Sequence, residues 1–322
     1  MDISNISYYS ISPRMLNLLA TIHHRLGEVH ARHLHRPPSD LVKAYHVSTV
    51  HSTLAIEGST LDALPVATLL DKPSAASEST SALEAVNTHR AHGLVSELDP
   101  FVEHDLRHAH SVLMHGLALD AGHFRTGPMD VLYGDPEPLR TANAYDLPAN
   151  VQELLRYAEE DDFPPLVTSC VLHFGLVYLR PFTAGNGRLA RLWQKRVLMR
   201  YWPVFSYLPV EAFIQRTQPA YYAALEYADR RGDCGEFVNY LLERIDEALA
   251  ELLAAPNPML TGADRVGIFL KQTSDRPFRR KDYLNMFPEL STATASRDLA
   301  EAVEANVLVL SGTKRQATYR RM

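Results

Sequence analysis

The stretch "RPFTAGNGRLAR", Arg180–Arg191, decides how this chain is read. An apolar helical run ends at Leu179, a loop containing Gly185 and Gly187 follows, and a new helix begins behind it. Glycines let backbone N–H groups approach a ligand closely, and the first turn of a helix offers unpaired N–H groups and a positive dipole. Arg188 and Arg191 lie three apart and so share a face of that helix, while Asn186 can both donate and accept. Together they form a cradle for a polyphosphate. The bland alternative is a helix start that carries surface arginines.

Most of the surrounding sequence carries helical spacing. "SPRMLNLLATIHHRLGEVHARHL" opens on a Ser-Pro start signal, and "SDLVKAYHVSTVHSTLAIEG" starts at Ser39, read as an N-cap, and stops at Gly58. A polar linker of small residues spans Asp71–Thr80. From Gly122 to Pro148, Gly and Pro punctuate short β-prone pieces, which predicts a hairpin or extended flap. Helices resume through "ANVQELLRYAEE", "PPLVTSCVLHFGLVYL" and two segments near Gln218–Arg231 and Gly235–Leu253. After "LLAAPNPMLTG", three short helices and two strands around Gly312 read as a winged helix. The expected division is a helical region over 1–102, a core domain over 103–255 and a winged-helix domain over 256–322, mainly α throughout.

A chain of 322 residues with 46% apolar composition has enough material for a sizeable core in two or three domains. Its net charge of −6 is uneven, since residues 262–322 carry +4 and the remainder −10. Only the tail has the charge to meet nucleic acid. Cys170 and Cys234 stand far apart without a disulfide or zinc pattern, which suits a reducing cytosol. No basic segment followed by an apolar run opens the sequence, and no segment approaches the ~20 apolar residues of a membrane span. A soluble, cytoplasmic protein is expected. The 15 histidines show no zinc spacing, so no metal site is assigned.

The Arg180–Arg191 string resembles the signature of the Fic family, His-Pro-Phe-x-(Asp/Glu)-Gly-Asn-Gly-Arg-x-x-Arg. Pro181, Phe182, Gly185, Asn186, Gly187, Arg188 and Arg191 match in register. "LHFGLVYL" resembles the helix that leads into the motif, and "GHFRTG" with the β-prone residues after it resembles the family's flap. The resemblance implies a Fic-fold helical core and transfer of AMP from Mg-ATP to a Ser, Thr or Tyr hydroxyl of a target protein. It implies that the motif histidine is the base, that the acidic residue holds the metal, and that Gly185, Asn186, Gly187, Arg188 and Arg191 bind the nucleotide.

Two positions depart from the pattern. The histidine is Arg180, and a guanidinium with a pKa of about 12 or above accepts no proton at neutral pH. Losing a positioned base typically costs ~10²–10⁴ in rate. The acid is Ala184, which offers no oxygen to Mg²⁺, so the metal is in doubt while ATP or another nucleotide stays the expected ligand. His173 precedes Arg180 by about two helical turns, roughly 10 Å, too far to replace the base. It reads as a helix-packing residue, as do Tyr221, Tyr222 and Phe237. Arg180 either adds phosphate affinity or closes the pocket by pairing with a carboxylate; both stay open.

"STLAIEG" resembles the family's inhibitory helix, (Ser/Thr)-x-x-x-Glu-(Gly/Asn), through Thr53, Glu57 and Gly58. The resemblance implies that Glu57 pairs with Arg191 and blocks the γ-phosphate. In the C-terminal segment, Ser291 reads as an N-cap. Thr292, Thr294, Ser296 and Arg297 on the following helix, with Lys314 and Arg315 on the wing, are the candidate DNA contacts. Three functions are consistent with the sequence: an adenylyltransferase scaffold whose AMP transfer is lost or impaired, a pseudoenzyme in the ordinary sense; a nucleotide-responsive regulator that binds double-stranded DNA; and a homodimeric scaffold that binds a target protein.

Overall fold

The computed structural model describes residues 9–32, 34, 37–71, 79–131, 139–140, 142–160, 162, 164–255, 260–273, 276–288, 290–312 and 317–322. Of the expected 71–80 linker, residues 72–78 fall outside them, as do Lys314 and Arg315. In chain order the helices are α1 (Pro13–Ala31), α2 (Ser39–Ile56), α3 (Ala63–Asp71), α4 (Thr80–Leu94), α5 (Glu103–Leu113), α6 (Leu147–Glu160) and α7 (Pro165–Leu179). They continue with α8 (Asn186–Tyr201), α9 (Val210–Arg216), α10 (Gln218–Arg231), α11 (Gly235–Ala254), α12 (Gly262–Gln272), α13 (Arg280–Met286) and α14 (Thr292–Glu304). Two short antiparallel pairs complete the described elements: β1 (Asp130–Val131) with β2 (Leu139–Arg140), and β3 (Leu308–Ser311) with β4 (Thr318–Arg321). The fold is mainly α, and the β1–β2 pair lies where the flap was expected.

The chain divides into two compact units, one of Met1–His35 with Lys43–Ala255, the other of Arg36–Val42 with Pro256–Met322. Residues 1–35 and 43–102 therefore share a unit with the 103–255 region. At the centre of the larger unit is α7, "PLVTSCVLHFGLVYL", which is apolar all round and buried along nearly its whole length. A helix without a polar face must be surrounded, and α6, α8 and α11 pack around it. Trp193 on α8 is fully buried and still satisfies its indole N–H on the Pro100 carbonyl at 2.8 Å. Gly58 closes α2 as expected, but Ser39 is the first helical residue rather than a cap. Its N–H and hydroxyl both donate to Asp264.

In the smaller unit, Phe269, Phe278, Tyr283, Phe287 and Leu299 form the core. Asp298 is 3% exposed and is reached by Arg265 Nε at 2.7 Å, Arg265 Nη2 at 2.8 Å and the Tyr283 hydroxyl at 2.9 Å. A buried carboxylate is tolerable only when so paired, and the pairing fixes the rotation of α14. Ser291 caps α14 by accepting from the Thr294 N–H.

Candidate functional site

The site is built where α7 stops and α8 starts. Arg180 ends α7 in the left-handed region, φ 44° and ψ 63°, a conformation that costs a non-glycine residue about 1–2 kcal/mol. The turn is held by Arg125, itself only 3% exposed. Its guanidinium donates to the carbonyls of Arg180 (2.7 Å), Gly127 (2.7 Å), Ala142 (2.6 Å) and Leu179 (3.3 Å), and its N–H donates to Pro181 O (2.9 Å). A cation at the C-terminus of a helix meets the carbonyls left unpaired there and opposes the negative end of the dipole.

The loop itself rests on two aromatic rings. Phe182 is fully buried and stacks on His110 with ring centroids 3.6 Å apart. His110 Nδ1 accepts from the Gly122 N–H at 2.9 Å, which puts the ring proton on Nε2, and that atom donates to Ala184 O at 2.9 Å. Asn186 spends its side chain inside the loop. Its Oδ1 accepts from Phe182 N at 3.0 Å and its Nδ2 donates to Phe182 O at 2.8 Å, so its side chain braces the loop. Gly185, at φ 75°, allows the sharp entry into α8, and a Cβ there would lie 2.6 Å from Met114 Sδ.

On α8 the two arginines turn inward. Arg191 Nε donates to Thr53 Oγ1 at 2.8 Å, and Nη2 donates to Thr53 O at 3.0 Å and to Glu57 Oε1 at 2.7 Å. Burial works most strongly against the charge of Arg191, but the Glu57 carboxylate together with Tyr221 and Tyr222 holds its pKa above the ordinary value. A Cβ on Gly187 would collide with Glu57 Oε1, so the carboxylate lies directly over the first turn of α8. The end of α2 that carries Glu57 is tied down, since Ile56 O accepts from Gln218 Nε2 at 2.7 Å and from the Tyr222 hydroxyl at 2.8 Å. Thr53 and Glu57 thus converge on Arg191, while Gly58 turns the chain just beyond them at φ 90°. Arg188 contacts Glu84 Oε1 at 3.2 Å through Nη2. Among the described residues, its Nε and Nη1, and Nη1 of Arg191, are buried without a hydrogen-bond partner.

Neither departure from the expected motif is repaired nearby. Ala184 offers no side-chain oxygen, and its carbonyl already accepts from His110. These residues do not fit a Mg²⁺ at that position. Among the described residues no group of three or more His, Cys, Asp or Glu is placed to hold a metal. Asp229 lies within electrostatic reach of Arg180; burial pushes its carboxyl up to about 6, while Arg180 and Arg230 pull the other way. Of the candidate DNA contacts, Thr292 and Arg297 are exposed, Thr294 bonds back to Ser291, and Ser296 Oγ accepts from Arg280 at 2.7 Å.

His173 is a fully buried packing residue, with Nδ1 2.6 Å from Gln194 Oε1 and Nε2 2.9 Å from the Tyr221 hydroxyl. Burial pushes it down to about 3 and pushes His110 down to about 4. An unfolded histidine titrates near 6.5, so below that pH the unfolded chain binds the extra protons and stability falls as pH falls. Both contributions are whole above about pH 6.5 and are lost on the way down to the folded values. Between pH 7 and 5 each histidine is expected to cost roughly 2 kcal/mol. Asp229 has the opposite sign and offsets part of this. Urea unfolding at the two pH values checks it, and an unchanged midpoint contradicts it.

Residues 100–198 match the family model described as Fic/DOC family. The chain is 30% identical over 150 residues to protein adenylyltransferase fic-1 of Caenorhabditis elegans, 46% of this chain and 27% of that protein. It is 29% identical over 158 residues to protein adenylyltransferase Fic of Nematostella vectensis, 48% of this chain and 34% of that one. The chain therefore spans only about a quarter to a third of these curated relatives. A crystal structure of a Fic family protein from Desulfovibrio desulfuricans G20 superposes with a TM-score of 0.73 at 26% identity, covering 98% of this chain and 97% of the other. Fic-1 (aa134 - 508) of C. elegans shares the fold, with a TM-score of 0.59 over 74% of each chain at 21% identity. The family match covers the loop, the braces and both arginines, and the fold match runs nearly the length of the chain: residues 100–198 match the Fic/DOC family, on a fold shared with a Fic family protein.

Proposed function

We propose that this chain binds a nucleoside polyphosphate, ATP in the first instance, on an AMP-transfer scaffold whose ordinary transfer to a protein hydroxyl is impaired. The observation that carries the reading is the set of buried guanidinium donors without partners, Nε and Nη1 of Arg188 and Nη1 of Arg191, at the start of α8. Leaving charged donors buried and unpaired is costly, and a phosphate at a helix N-terminus supplies the missing acceptors. Gly185 makes no side-chain cap, which leaves the first-turn N–H groups to serve the same anion.

AMP transfer joins a hydroxyl oxygen to the α-phosphorus, releases pyrophosphate, and requires the hydroxyl proton to leave. Arg180 stands where that proton would be taken and holds no free lone pair for it. Ala184 adds no oxygen ligand for a metal beside the phosphates. The test uses α-labelled ATP with Mg²⁺ and the Glu57→Gly variant, which removes the carboxylate over α8. No incorporation above background is expected. Labelling of that variant contradicts the impairment and shows that another base serves with Arg180 in place.

A second reading, DNA binding by the smaller unit, is favoured by its architecture: three helices followed by an antiparallel ribbon, the arrangement of a winged helix. Arg279, Arg280, Lys281 and Arg297 are exposed on it. Each phosphate neutralised contributes about −0.9 to the slope of log K against log salt. Duplex affinity is expected to fall with salt, and Arg297→Ala is expected to flatten the slope by about one such step. Affinity that ignores salt, or no duplex binding, removes the reading.

A further inference from the structure

Each arginine of the cradle carries a carboxylate, and the two carboxylates come from different helices. Glu57 at the end of α2 reaches Arg191 at 2.7 Å, and Glu84 in the second turn of α4 reaches Arg188 at 3.2 Å. The exposure is lopsided. The arginine side chains are 1% and 7% exposed, whereas Glu57 and Glu84 are 37% and 27% exposed. The guanidinium groups are fixed, and the carboxylates have solvent to swing into.

We propose that Glu84 is a second acidic gate on the phosphate cradle, holding Arg188 as Glu57 holds Arg191. This rests on the nucleotide-binding reading above and adds to it. Glu84 engages only Nη2 of Arg188, so the two unpartnered donors of that side chain remain available to a phosphate oxygen. A polyphosphate that takes them arrives beside a like charge, and binding must either displace Glu84 or accept the repulsion. Removing Glu57 therefore frees only half of the cradle.

The experiment is a calorimetric titration of ATP, without added metal, into the full chain as wild type, Glu57→Gly, Glu84→Gln and the double variant. Glu84→Gln in the Glu57→Gly background is expected to tighten ATP by about three- to tenfold. Glu84→Asp, which keeps the charge on a shorter stem, is expected to give part of that gain. Asp120→Asn removes the same charge beside the same loop, where Asp120 accepts from Thr183 Oγ1 at 2.9 Å. It is expected to change affinity by less than about twofold, since Asp120 touches neither arginine in the described contacts. Urea midpoints of all variants confirm that each is folded. An unchanged affinity, an equal gain from Asp120→Asn, or weaker binding, the sign of a carboxylate that orients Arg188 for its ligand, overturns the gate. If Glu57→Gly binds ATP and does not respond to Glu84, the gate alone falls. If no variant binds ATP, the nucleotide-binding reading falls with it.

Discussion

The variant Glu57→Gly, Arg180→His, Ala184→Asp is expected to incorporate AMP from Mg-ATP about 10²–10⁴ times faster than Glu57→Gly alone, the usual worth of a positioned general base. The scaffold around both replaced residues is intact. Arg125 and the Leu176 carbonyl hold the backbone of residue 180, and His110 and Phe182 hold that of residue 184. Histidine also suits the left-handed backbone of residue 180 better than arginine does, since it is enriched there. A carboxylate at 184 would add the hard oxygen ligand that Mg²⁺ prefers. Labelled ATP followed over time reads the rate of the triple variant against the background set by Glu57→Gly. Equal rates in the two variants would place the defect outside these two positions.

Arg125→Ala is expected to destabilise the larger unit by about 3–5 kcal/mol, the range for losing a buried charged network. The guanidinium makes four hydrogen bonds to backbone carbonyls, and alanine would leave those of Leu179, Arg180, Gly127 and Ala142 without it. Lysine is expected to recover less than half of the loss, because a point charge cannot reproduce the planar fork. Denaturant midpoints of the three proteins measure this. A loss below about 1 kcal/mol for Arg125→Ala would mean that the flap and the α7 turn hold together without it.

How much of this was legible in the sequence depends on whether the signal was local. The α7–loop–α8 unit and the pairing of Glu57 with Arg191 follow from short motifs, and the structure places the residues accordingly. His173 was legible as a packing residue because its spacing from Arg180 excluded it from the chemistry. Arg125 lay inside the quoted flap string, yet its role depends on carbonyls brought in from α7 by the tertiary fold. Glu84 had no local mark at all, since its partner lies on another helix far along the chain. The bracing of the loop by Asn186 was not legible, because residue type tells what a side chain can bond, not which backbone group is nearest. α3 and α9 escaped notice for a simpler reason: both are short, and about two turns give too little periodicity to register. Ser39 carries a cap residue's chemistry, but its donors are taken by Asp264, which is distant in sequence.

Equilibrium dialysis of labelled ATP against Glu57→Gly, with and without Arg188→Ala, tests most directly whether Arg188 and Arg191 form a phosphate site closed by Glu57. Saturable binding to one site per chain is expected, weakened about 10- to 100-fold when the Arg188 guanidinium is removed. ATP binding that is absent from Glu57→Gly, or indifferent to Arg188, would contradict it.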